Sequence, residues 1–150
     1  MSWDVSYWRI PAGTPTKRVR SAAPYEGAPE QWHIELPDDL DISKLTIAPR
    51  IEIVRFLIDW GAKKERGADT FVWRKSDESL VLYIHDDPVS EIGTNVYACL
   101  ETLFDLRRRL NDRWPQIIMM DDGQGHFHDE WTIERLGEEG EAPEGNPADG

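Results

Sequence analysis

The densest run of chemically capable side chains is Asp121-Asp122-Gly123-Gln124-Gly125-His126-Phe127-His128-Asp129-Glu130. On a strand, the two-residue spacing of His126 and His128 puts both imidazoles on one face, a geometry that suits a metal ligand pair. His85 ends another apolar run and is followed by Asp86 and Asp87. A metal held by His126, His128, His85 and Asp121 would support hydrolysis, with a nearby carboxylate as base. The run has no His-Glu-x-x-His spelling, His-x-His arises by chance, and acids abound in a chain that carries 29 of them. The default reading is therefore a solvated acidic loop, with no cofactor and no metal expected. Nucleophilic catalysis has less support. There is no Gly-x-Ser-x-Gly elbow and no glycine-rich phosphate loop. Arg107, Arg108, Arg109 and Arg113 form a basic band that has Glu101, Asp105 and Asp112 as partners on the same expected helix.

The elements that would position these groups follow from hydrophobic spacing. Ser2 to Ile10 alternates and predicts a first strand, with Trp3, Val5 and Tyr7 on one side and Asp4, Ser6 and Trp8 on the other. Pro11 to Pro29 is dense in Pro and Gly and reads as loop, with a basic knot at Lys17, Arg18 and Arg20 and room for a short strand at Val19. Gln31 to Leu36 reads as a second strand. Pro49 to Trp60 reads as a helix ended by Gly61, although its β-branched residues leave a strand open. Gly61 to Asp69 is a charged loop. Thr70 to Arg74 and Ser79 to His85 predict a β-hairpin, and the second of these strands is apolar on both faces. Ile92 to Trp114 reads as one long amphipathic helix, with Thr94 as its cap and Pro115 as its stop. Gln116 to Met120 predicts a buried strand, and His126 to Leu136 a strand that runs into a short helix. The expectation is one α/β or α+β domain over residues 1–136. It holds five or six strands in a mixed, largely antiparallel sheet with two helices. A disordered acidic tail follows at 137–150.

Composition narrows the function. At 150 residues with 39% hydrophobic content the chain can bury a core without staples. No apolar run approaches the ~20 residues that span a bilayer. MSWDVSYW lacks the character of a signal peptide, and the single Cys99 excludes an internal disulfide, so the cytoplasm is the expected compartment. A net charge of −12 repels phosphate backbones and disfavours nucleic acid. It favours steering of a basic protein partner. Seven Trp add large amphipathic rings of the kind found in cores and interfaces.

The acidic sets Asp38/Asp39/Asp41, Asp86/Asp87 and Asp121/Asp122/Asp129/Glu130, with Trp32 and Trp131 near them, sit in a small, Trp-rich chain without a catalytic motif. In this general character it resembles bacterial toxin-immunity proteins. The resemblance implies a non-catalytic inhibitor of a cognate toxin, whose active-site cleft it blocks or holds shut. The expected partner-binding residues are Asp86, Asp87, Asp121, Asp122, Asp129, Glu130, Trp131 and Trp32. A metal-dependent hydrolase built on His126 and His128 is the alternative, and a structural or assembly protein the third.

Overall fold

Two-residue alternation builds most of the molecule. The computed structural model describes residues 4–21, 31–65, 69–97, 100–123 and 125–136. In chain order it holds β1 (Val5–Arg9), β2 (Lys17–Ser21), β3 (Gln31–Glu35), a 3-10 turn (Ile42–Lys44), α1 (Arg50–Trp60) and β4 (Lys63–Lys64). The hairpin β5 (Thr70–Lys75) and β6 (Glu78–Ile84) follows, then β7 (Ile92–Tyr97), α2 (Leu100–Arg113), β8 (Ile117–Asp121), β9 (His126–His128) and α3 (Glu130–Leu136). Among the described residues nine strands form one sheet, ordered β2-β3-β9-β8-β1-β7-β6-β5-β4. Every neighbouring pair in it is antiparallel. Cys99 and the stretch expected to be a disordered tail lie outside the described residues. No described helix is long and apolar enough to cross a membrane.

The single helix expected over Ile92 to Trp114 is two elements. Ile92, Thr94 and Val96 alternate along β7, which pairs with β6 over its whole length, from Ile84↔Ile92 to Ser79↔Tyr97. Only the second half keeps the helical period, and α2 buries Leu103, Leu106 and Leu110 completely. The acid-first pair four residues apart forms as expected, with Arg109 Nε 2.8 Å from Asp105 Oδ2. Thr94 caps no helix. Its buried hydroxyl donates to the Val5 carbonyl at 2.9 Å and accepts the Val5 N–H at 3.3 Å, joining β7 to β1. Replacing Thr94 by isosteric Val strands both backbone groups away from water. Urea unfolding should show a loss of about 2 kcal/mol, the cost of buried groups left unpaired; an unchanged midpoint would mean that Val5 finds other partners.

The five or six expected strands undercount the sheet, because β7 reads as helix and β2 and β4 are built mainly from Lys and Arg. β2 grows from the Val19 neighbourhood inside the Pro- and Gly-rich segment. β4 is two lysines within the charged loop. Three helices replace the two expected, since α3 is separate. α1 forms as a helix because Ile53 and Leu57 face the core, and Gly61 ends it in the left-handed region at φ 114°.

β7 and β8 both run antiparallel to β1, and so parallel to each other with β1 between them. The β7–α2–β8 crossover therefore steps over β1. Tyr7 marks this packing: it is wholly buried and its hydroxyl donates to the Leu103 carbonyl of α2 at 2.8 Å. The inner face of the sheet packs Val5, Leu80, Ile92 and Met119 against α1, α2 and Ile133 of α3. The outer face is covered around Trp8, Ile34 and Ile118 by Leu36, Leu40, Ile42 and Leu45. Both faces of β1 are thus buried, as its two-sided apolar pattern requires. Farther across, the outer face of β6 and β7 presents Tyr83, 36% exposed, and exposed Asn95.

Candidate binding surface

The structure divides the expected partner-binding residues into two places. In the first, an acidic field, Asp122 stands on the outer face just past the end of β8; the charge of Asp86 acts on Glu91 and that of Asp121 on Asp122, although Asp121 itself shares the inner-face register of Val5 and His126. Register explains why. Ser6 of β1 pairs with Gly93 of β7 on one side and Met120 of β8 on the other. The missing side chain at Gly93 leaves room over that row, and Glu91 Oε2 lies 4.0 Å from where a Cβ of residue 93 would stand. On the other flank, the Trp8 indole N–H donates to Ser6 Oγ at 2.9 Å, and Ser6 Oγ donates to Asp122 Oδ1 at 2.9 Å. Glu91 and Asp122 thus face each other across β1, although they are far apart in sequence.

Among the described residues no Lys or Arg side chain offsets the charges in this field. Desolvation pushes the Glu91 carboxyl above its usual range; His85 lowers it, while Asp122 and Asp86 raise it further. Desolvation also raises Asp122, against the Ser6 hydrogen bond, and Asp4 and Asp121 add to the rise. Asp4 and Glu91 are the members that sequence reasoning missed, because cross-strand proximity leaves no local trace. Among the described residues none of Asp4, Asp86, Glu91, Asp121 and Asp122 has a Lys or Arg partner. Asp87 stands beside them but serves the fold, since its Oδ1 accepts the Arg50 N–H at the start of α1 at 3.0 Å. Asp121 similarly holds its own turn through the Gly123 N–H, at 2.9 Å.

Asp129, Glu130, Trp131 and Trp32 form the second group, and cations neutralise it. Asp129 Oδ1 accepts the Thr132 N–H at 2.9 Å, Thr132 Oγ1 accepts the Asp129 N–H at 3.0 Å, and this reciprocal pair starts α3. Asp129 also pairs with Arg18 at 3.2 Å, and Glu130 with buried Arg107 at 3.1 Å. Trp32 and Trp131 meet edge to face at 5.3 Å. Arg18 and Arg135 lie over the Trp131 ring, at 4.7 and 3.5 Å. Arg20 lies over Trp32 at 5.3 Å. Of the basic knot, Arg18 thus serves one of the protein's own acids.

The four residues of the alternative metal site do not come together. Asp121 pairs with His126 and Met119 with His128 across β8 and β9. His85 follows β6, four strands away in the sheet, about 19 Å at ordinary strand spacing. The histidine that joins His126 is instead His33 of β3, stacked on it at 4.0 Å with the planes 5° apart. His128 is buried, with Nδ1 3.2 Å from Thr132 Oγ1. Among the described residues no group of three or more His, Cys, Asp and Glu side chains has the arrangement to hold a metal ion. The alternation of Trp32 and Ile34 was the one signal that could have put His33 on the opposite, inner face.

Comparison with protein-family models, with curated proteins and with solved structures finds no match.

Proposed function

We propose that the chain is a non-catalytic inhibitor of the immunity type, whose acidic outer face covers a basic surface of a protein partner such as the cleft of a toxin. The observation that carries this reading is the set of carboxylates around Glu91 and Asp122, which have no Lys or Arg partner among the described residues. Clustered like charges repel, and an incoming Lys or Arg relieves that repulsion on contact. The neighbouring face of β6 and β7 adds the partly exposed Tyr83, an aromatic ring of the kind enriched at interfaces. Carboxylates at a rim act chiefly on association rate, through long-range steering.

The test starts with capture of partners from the native host at low salt and release at high salt. With the partner in hand, Glu91→Lys and Asp122→Lys should each slow association by about tenfold at low ionic strength and flatten its salt dependence. Rates equal to wild type for both variants would remove the acidic face from the interface.

A further inference from the structure

β2 and β3 form a two-stranded ribbon at one end of the sheet, paired continuously from Lys17↔Glu35 to Ser21↔Gln31. Their joint with the rest of the sheet is narrow, since β3 meets β9 through the single residue pair Ile34↔Phe127. Two stacked imidazoles stand at that joint. His33 of β3 and His126 of β9 lie 4.0 Å apart between ring centroids, with planes 5° from parallel. His128, two residues along β9, is buried and close enough for the charge of either ring to act on it. Three of the chain's 4 histidines thus meet where one residue pair joins the ribbon to the sheet.

Neutral rings stack, whereas two protonated rings at this distance repel. A proton on His33 Nδ1 would also go unsatisfied, because that atom is shut off from water and has no hydrogen-bond partner among the described residues. The acids around the rings are shared with other groups. Glu35 acts on His33 from its own strand and stands opposite Lys17 of β2. Asp121 of β8, opposite His126, holds the Gly123 N–H. Asp129, at the start of α3, acts on His128 but also holds the Thr132 N–H and Arg18. Separation of β3 from β9 breaks the stack and gives the rings water, where imidazoles take protons at an ordinary value of about 6.5. Acid favours the form that binds more protons, which is the separated one. Arg18–Asp129 at 3.2 Å and Trp32–Trp131 at 5.3 Å resist the separation, but neither contact is buried.

We infer that the His33–His126 stack is an acid-sensitive latch, which holds the β2–β3 ribbon on β9 at neutral pH and releases it in acid while the rest of the sheet stays folded. Release leaves β9 as an open edge. NMR on the whole chain reads the joint directly, because the side chains of opposed residues lie within contact range. The nuclear Overhauser effect between Ile34 and Phe127 should be present at neutral pH and lost by about pH 4.5, well below the ordinary imidazole range. The effect between Phe71 and Leu82, opposed in β5 and β6, should persist at both. His33→Phe keeps a ring on His126 but takes no proton, and should move the midpoint of the loss lower by about half a pH unit or more. Should that variant fail to fold, His126→Phe makes the same test from the other strand. Persistence of the Ile34–Phe127 contact in acid overturns the inference, as does its loss together with the Phe71–Leu82 contact, or an unmoved midpoint in a folded variant.

Discussion

Acidification from pH 7 to pH 4 should remove about 3 kcal/mol of stability through His128 alone, which is the linkage value of a pKa drop from 6.5 to about 4. Burial first, then the neighbouring His126 and His33, hold its imidazole down at about 4 against the opposing charge of Asp129. In the unfolded chain the same ring titrates near 6.5. The native state therefore binds fewer protons than the unfolded state between those values. The contribution is complete above about pH 6.5 and is lost as the pH falls toward 4. His33 acts in the same direction, since burial and His126 lower it as well. Glu91 and Asp122 act in the opposite direction. Their raised pKa values cost stability at neutral pH, and that cost fades as they take up protons. The His128 share is isolated by comparing wild type with His128→Asn in urea unfolding at both pH values. The stability advantage of wild type should shrink by about 3 kcal/mol on acidification. An advantage independent of pH would mean that His128 carries its proton inside the fold.

Much of this architecture is legible in the sequence where one period dominates. The β5–β6 hairpin, the first strand, β8 and the passage from β9 to α3 all follow from alternation or its end. β7 was concealed because Ile92, Val96 and Leu100 are four residues apart. Four is an even number and also close to one helical turn, so the same residues satisfy both templates. Gly93 and Thr94 argued for the strand, as poor helix formers. β2 and β4 were hidden for another reason: they are edge or near-edge elements built from Lys and Arg, whose pairing depends on a neighbour and not on burial. The candidate surface divides along the same line. Asp86, Asp121 and Asp122 stood out by composition. Whether an acid caps a helix, as Asp87 and Asp129 do, or remains uncompensated, as Glu91 does, depends on strand order, which local spacing does not encode.

Glu130→Ala should cost about 3 kcal/mol, the low end for breaking a buried ion pair by removing one partner. Glu130 is itself 45% exposed, but Arg107 is only 6% exposed in its side chain and has Glu130 as its carboxylate contact. Without it the guanidinium keeps its charge in a site already poor in acceptors, where Nε and Nη1 have none among the described residues. Desolvation lowers the Arg107 pKa, while Glu130 and then Asp129 raise it, so the carboxylate is what offsets the cost of burying this cation. Replacing both residues, as in Arg107→Met with Glu130→Ala, removes the stranded charge together with its partner. The double variant should therefore be more stable than Glu130→Ala alone, a strongly non-additive cycle measured by urea unfolding. Additive losses would mean that water reaches Arg107 and solvates it once Glu130 is gone.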